Sequence, residues 1–239
     1  MEINRGSTAL ITGASRGLGL ALARSLASRG WSILIDARGE QAHETARAEL
    51  SKLTQVTAIP GDVADEGHRR ALAAAARELG GLDLVVNNAS ILGPSPQPFL
   101  IDYPVEVLEQ VYRTNVIAPL ALLQAVWGEL REAARIIHIT SDAGVEPYEG
   151  WGGYGSSKAA LEHLTAILAA ENPSLRIYWV DPGDMRTQMQ QDAFPGEDIS
   201  DRPLPEDSVP GLLELIEGQF PSGRYLTREI VRDETAHTR

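Results

Sequence analysis

A doubly wound α/β fold, a mostly parallel seven-stranded sheet with helices on both faces, is predicted by three observations. Short apolar runs of strand length recur near 8–12, 32–37, 55–60, 83–87, 135–140, 175–181 and 223–227, with helical patterns in nearly every gap. The first run ends in a glycine-rich segment that opens directly into a helical stretch. Polar and glycine motifs then fall just past successive runs, where a right-handed doubly wound sheet places its ligand.

Taken in chain order, Ser7-Thr8-Ala9-Leu10-Ile11 is the first strand, Thr12-Gly13-Ala14-Ser15-Arg16-Gly17-Leu18-Gly19 the loop, and Leu20 to Ser28 the helix. The glycine spacing is G-x-x-x-G-x-G. Such a loop lets the backbone approach a pyrophosphate, whose charge the N–H groups and dipole of the helix start then meet. The second run, Ile33-Leu34-Ile35-Asp36-Ala37-Arg38, offers two readers of an adenosine ribose. An acid accepts hydrogen bonds from the ribose diol and repels a 2′-phosphate, whereas an arginine binds that phosphate. Because strand side chains alternate, Asp36 and Ala37 cannot both face the ribose.

Gly61-Asp62-Val63 follows the third run, just before Asp65-Glu66, which also begins a helix and leaves capping as a second reading of Asp62. Asn87-Asn88-Ala89 closes the fourth run, and the proline-rich Gly93 to Pro98 reads as an ordered surface connection. Ser141 follows the apolar strand Ile136-Ile137-His138-Ile139. Tyr154 and Lys158 are four apart, which puts a phenol and an ammonium on one helix face. A neighbouring cation favours phenolate and draws the group toward the pH range where acid-base catalysis is efficient. Pro182-Gly183 follows the sixth run. The segment 188–207 is longer than ordinary connections and reads as a substrate lid.

The 239 residues suit one compact domain spanning 1–239. A net charge of -12 argues against nucleic acid and against an anionic membrane surface, so an anionic cofactor needs local basic groups. There is no cysteine for disulfides or thiolate chemistry. His, Asp and Glu show no metal-site spacing. With no signal-like or membrane-spanning stretch, a cytoplasmic protein is expected.

The loop Thr12 to Gly19, Gly61-Asp62-Val63, Asn87-Asn88-Ala89, Asn115, Ser141 thirteen residues before Tyr154, Tyr154-x-x-x-Lys158, and Pro182-Gly183 with Thr187 stand in one order. In that order the chain resembles the short-chain dehydrogenase/reductase family, in its shorter single-domain branch with a Rossmann-like fold. The resemblance implies reversible hydride transfer between a nicotinamide and a carbonyl or alcohol substrate. Tyr154 is then the proton donor, Lys158 lowers its pKa and bonds the nicotinamide ribose, Ser141 holds the substrate oxygen, and Asn115 orders a water leading from Lys158 to solvent. A plain reading of Asn115 is a polar residue bonding its own helix backbone.

For the cofactor, the resemblance implies contacts from Gly13, Ser15, Arg16, Gly17, Leu18 and Gly19, from Asp62 and Val63 beside the adenine, and from Asn88 and Ala89 along the ribose and phosphates. It also implies that Pro182 and Gly183 bring backbone near the nicotinamide, with Met185 and Thr187 beside its carboxamide and the phosphates. Ser90 replaces a usual glycine. Aligned on Gly30, Ala37 takes the place of the acid of NAD-preferring members, and Arg38 that of a base in NADP-preferring ones, which often use Arg16 as well. NADP(H) is therefore the expected cofactor; NAD(H) remains the alternative if Asp36 reads the ribose.

Asp142, Glu146, Tyr148, Trp151 and Met189 are candidates for the substrate pocket, and His138 and His163 read as structural. The last strand, Gly223-Arg224-Tyr225-Leu226, lacks the family's closing Val-Asp-Gly-Gly and is followed by a polar tail, 232–239. A homodimer or homotetramer is expected, with dimer contacts through helices around 104–130 and 153–171. The alternative to an enzyme is a dinucleotide-sensing regulator or scaffold with the same fold and little turnover.

Overall fold

In a computed structural model of the chain, which describes residues 6–230, seven strands form one wholly parallel sheet. They are β1 (Thr8–Ile11), β2 (Ser32–Ala37), β3 (Val56–Pro60), β4 (Leu82–Asn87), β5 (Leu130–Ile139), β6 (Arg176–Asp181) and β7 (Gly223–Leu226). Their spatial order is β3-β2-β1-β4-β5-β6-β7. The polar tail, 232–239, lies outside the described residues.

The helices are α1 (Gly17–Ser28), α2 (Glu40–Leu50), α3 (Glu66–Glu78), α4 (Val105–Tyr112), α5 (Ala118–Val126), α6 (Gly152–Glu171), α7 (Gln188–Ala193), α8 (Val209–Glu217) and a last turn, α9 (Thr227–Ile230). Residues of α1, α2 and α8 pack with Ile11, Ile33 and Ile35 on one face. Residues of α3, α5 and α6 pack with Leu10, Leu34 and Val85 on the other. Strands covered on both sides cannot alternate apolar with polar, which is why Ala9-Leu10-Ile11 and Ile33-Leu34-Ile35 are unbroken apolar runs.

Helix α1 shows how the sequence sets an element. Leu18, Ala21, Leu22 and Leu26 recur at helical spacing and are buried. The helix stops at Gly30, whose φ of +83° suits a residue without Cβ. There the N–H of Gly30 bonds Ala27 O and that of Trp31 bonds Leu26 O, a Schellman ending. Strand β5 begins earlier than its apolar core suggested. Leu130 pairs with Leu82 across a register shift, so polar Arg131 and Glu132 join the strand on its outer stretch.

Chain order reverses where β1 lies between β2 and β4. A crevice opens beyond the carboxyl ends of these strands, the usual ligand position in such a sheet.

Candidate active site

The crevice is a cleft of about 1530 Å³ that runs from Arg38 at one end to Tyr148 and Trp151 at the other. At its centre is the loop after β1. Gly13 adopts φ +64°, and a Cβ there would lie 3.0 Å from Ala89 Cα, so only glycine lets the loop close on the end of β4. Thr12 and Asn88 lock the two together. Thr12 Oγ1 accepts from the N–H groups of Asn88 and Ala89, both at 3.0 Å, and Asn88 Nδ2 donates to Thr12 O at 2.8 Å. The Asn88 amide donor is therefore used within the protein.

Arg16 stands at the N-cap of α1, with no side-chain cap and no acid in the first turn. The first N–H groups of the helix thus remain available to an anion. Thr187 faces them, its methyl 3.6 Å from the position of a Gly17 Cβ. Ser15, Gly17, Leu18, Arg38, Asp62, Val63, Asn88 and Ala89 line the same wall. Arg16 and Arg38 are exposed and, among the described residues, have no ion-pair partner, whereas Arg24, Arg70 and Arg77 each pair with a glutamate. Asp62 closes a tight turn by accepting from Ala64 N, and Asp65 is the residue that caps α3. The capping reading thus falls on Asp65.

Of the residues predicted for catalysis and cofactor binding, Gly19 and Asn115 do not reach the cleft wall. Gly19 serves packing, since a Cβ would come within 2.5 Å of Asn88 Nδ2 and 2.8 Å of Gly13 O. Asn115 lies in a π-helical turn, Arg113–Ile117, joining α4 to α5. Such a turn aims a side chain that a regular helix would point elsewhere. Asn115 grips its neighbours rather than its own helix. It accepts from Ile91 N and donates to Ile91 O, both at 2.9 Å, and donates to Ser157 Oγ at 3.0 Å.

Ser141, Tyr154 and Lys158 all line the far half of the cleft. The Ser141 hydroxyl donates to Asp142 Oδ1 at 2.9 Å, and Tyr148 OH donates to Asp142 Oδ2 at 3.1 Å. Lys158 Nζ donates to Ile139 O at 2.8 Å. Burial pulls this ammonium down to about 8, against the attraction of Glu162 one turn further on. Burial also pushes the Tyr154 phenol up, and the charges of Asp181 and Asp142 add to the rise while Ser90 opposes it. The phenol is therefore raised where the sequence predicts a lowering by Lys158: burial and the nearby carboxylates set its acidity, and the Lys158 ammonium is bonded to the backbone carbonyl of Ile139. The buried Ser90 hydroxyl opposes the rise only weakly, since it meets no partner in hydrogen-bonding geometry.

Pro182, Gly183 and Met185 border this half from the β6 side, with Gly183 N bonded to Asp181 Oδ1 at 2.8 Å. Thr187 caps α7 by accepting from Gln190 N. Helix α7 brings Met189 and Ala193 against a small cluster of Leu92, Ala143 and Tyr154. Trp151 stands edge-on to Tyr154 at 5.8 Å and tilted against Phe194 at 6.0 Å. Asp142, Tyr148, Trp151 and Met189 line the pocket, and Glu149 does so in place of the expected Glu146. His138 is buried and pulled down to about 3, by burial first and then by the charge of Lys158, so it stays neutral; His163 is exposed. Among the described residues no His, Cys, Asp and Glu group could hold a metal ion.

A family model described as short chain dehydrogenase matches residues 7–198. The chain belongs to that family. This short-chain dehydrogenase, an oxidoreductase, is 34% identical over 230 residues to a rhamnolipids biosynthesis 3-oxoacyl-[acyl-carrier-protein] reductase of Pseudomonas aeruginosa, covering 92% of this chain and 84% of the relative. It superposes with a TM-score of 0.86 on a putative short chain dehydrogenase from Pseudomonas syringae, at 32% identity and covering 95% and 96% of the two chains. The same score, at 27% identity with 95% and 98% covered, relates it to a short chain dehydrogenase from Shigella flexneri complexed with NADP. Among the described residues no helix is long and apolar enough to cross a membrane.

Sequence reasoning overlooked Ile91, whose backbone Asn115 straps down, and the carbonyl of Ile139 that receives Lys158. Neither contributes a side chain to the contact, so residue type carried no signal. A third omission, the pairing of Asp36 with His68, joins residues thirty-two apart.

Proposed function

We propose that this dehydrogenase interconverts a carbonyl and an alcohol using NADP(H), with Tyr154 as proton donor and acceptor. The observation that carries the reading is the continuity of one cleft. It joins two exposed arginines and an uncapped helix N-terminus to Ser141, Tyr154 and Lys158. The arginines suit a 2′-phosphate, and the open N–H groups of α1 suit a pyrophosphate. A related structure at 27% identity is complexed with NADP, which favours the same choice.

A nicotinamide held in the cleft by the α1 N–H groups, Arg16 and Arg38 would supply the hydride that the carbonyl carbon takes up. Tyr154 gives its phenolic proton to the oxygen, so the carbonyl gains one hydride and one proton and leaves as an alcohol. Burial keeps the phenol protonated at neutral pH but makes it a weaker acid, so release of its proton relies on the positive charge of Lys158 beside it. Ser141 holds the substrate oxygen where charge develops, once its hydroxyl turns from Asp142. Lys158 would hold the nicotinamide ribose, and its positive charge would steady the phenolate left behind. Asn115 acts at a distance by fixing Ile91 and Ser157 around the Tyr154 turn. The 188–207 segment serves as the lid, with Met189 and Phe194 excluding water from the reacting atoms.

A panel of carbonyl compounds followed by NADPH oxidation, with NADH in parallel, tests the reading. Carbonyl-dependent NADPH consumption is the expected result. Cofactor binding without turnover on any carbonyl or alcohol would instead favour a dinucleotide sensor.

A further inference from the structure

Asp36, next to last in β2, has a carboxyl group only 1% exposed, and a buried polar group needs hydrogen-bond partners. Here both oxygens are engaged. Oδ1 accepts from Gly13 N at 2.8 Å, and Oδ2 lies 3.1 Å from His68 Nε2. The main-chain carbonyl of Asp36 also accepts from Ala14 N at 3.0 Å. One residue thus holds two consecutive amides of the glycine loop.

His68, in the first turn of α3, is 8% exposed and fills a berth that exists because residue 61 has no side chain. A Cβ on Gly61 would sit 2.2 Å from His68 Nδ1. The imidazole orients the carboxylate, the carboxylate holds Gly13 in its left-handed turn, and that turn aims the start of α1 at the cleft. This arrangement reaches the loop from β2, from the turn after β3 and from α3 together.

We infer that Asp36 and His68 are positioning residues for the dinucleotide: through Gly13 they fix the loop that presents the α1 N–H groups to a pyrophosphate, and Asp36 does not read the ribose. The inference rests on the dinucleotide reading above. A pyrophosphate is common to both nicotinamide dinucleotides, so the pair governs affinity for NADPH and NADH alike and leaves discrimination between them to Arg16 and Arg38.

The test titrates NADPH and NADH by fluorescence into the full-length protein and its variants, with thermal melts and, on any substrate found, kcat at saturating cofactor. Asp36→Ala is expected to raise both dissociation constants about tenfold, with their ratio and kcat unchanged within about twofold. Asp36→Asn keeps an acceptor for Gly13 N–H and is expected to stay within about threefold of the unmodified protein. His68→Leu should weaken both cofactors equally, and His68→Gln, which keeps a donor, should restore most of the loss. A loss confined to NADH in Asp36→Ala, or folded Asp36→Ala and His68→Leu proteins with unchanged constants, would overturn the inference. If Asp36→Ala does not fold, the His68 variants decide it: equal weakening of both cofactors in His68→Leu with recovery in His68→Gln supports the inference, and unchanged constants in folded His68→Leu overturn it. Failure of the unmodified protein to bind either cofactor would refute the underlying reading, a distinct result.

Discussion

The Lys158 ammonium stands 5.3 Å from the centre of the Tyr154 ring yet donates its hydrogen bond to the carbonyl of Ile139. The fold therefore buries a cation beside the phenol without aiming it at the phenol oxygen. That placement costs stability.

In the unfolded chain this lysine titrates near 10.5 and in the fold near 8, so between these values the unfolded chain holds more protons and stability rises with pH. Below about 8 the fold carries the full cost, about 3 kcal/mol, since each tenfold weakening of proton affinity corresponds to about 1.4 kcal/mol. Lys158→Met is expected to melt at a higher temperature than the unmodified protein at neutral pH, with the gap closing as the pH approaches 10.5. Melting curves across that range check it; a gap independent of pH contradicts it.

Arg38→Ala is expected to raise the dissociation constant of NADPH about tenfold or more and that of NADH less than about twofold. Only NADPH carries the 2′-phosphate. Equal losses for both cofactors in a fluorescence titration would remove Arg38 from that role.

Asp142 adds negative charge near the Tyr154 phenol and so helps raise it. Neutralising it in Asp142→Asn lowers the phenol, and the basic limb of the reductive pH profile should move to lower pH. A limb that stays in place, or moves up, shows that the carboxylate is not sensed by the proton donor.

Phe194 supports Trp151, which in turn packs on Tyr154. Phe194→Ala should raise the substrate KM several-fold while the NADPH dissociation constant holds. A matching change in cofactor affinity would place the 188–207 segment over the dinucleotide instead.

The alternation of apolar runs and helices was legible because a doubly wound sheet buries its strands on both faces, leaving patterns as plain as Ala9-Leu10-Ile11. The cleft was legible where chemistry needs particular side chains at fixed spacing, as at Tyr154 and Lys158. Partners chosen by the three-dimensional path of the chain were not. The sequence leaves open whether Asp36 faces a ribose or the inside of a loop, and that depends on His68 arriving from α3 into the space above Gly61. For Asn115 the resemblance implies a water-ordering role and spacing alone an ordinary helical residue; neither shows that the π turn directs its amide to Ile91. Gly19 matches a cofactor motif, yet its missing Cβ is needed for contact with Asn88.

In the proposed NADPH-linked reduction Tyr154 delivers the proton. The most direct test of that role is the rate of NADPH oxidation with an accepted carbonyl substrate, measured for the unmodified protein and for Tyr154→Phe, alongside NADPH titration of both. The ring and its packing on Trp151 are kept, and only the donor is lost. Turnover is expected to fall by about a hundredfold or more while the NADPH dissociation constant changes less than about twofold. Comparable turnover by the two proteins would contradict the assignment of Tyr154 as the proton donor.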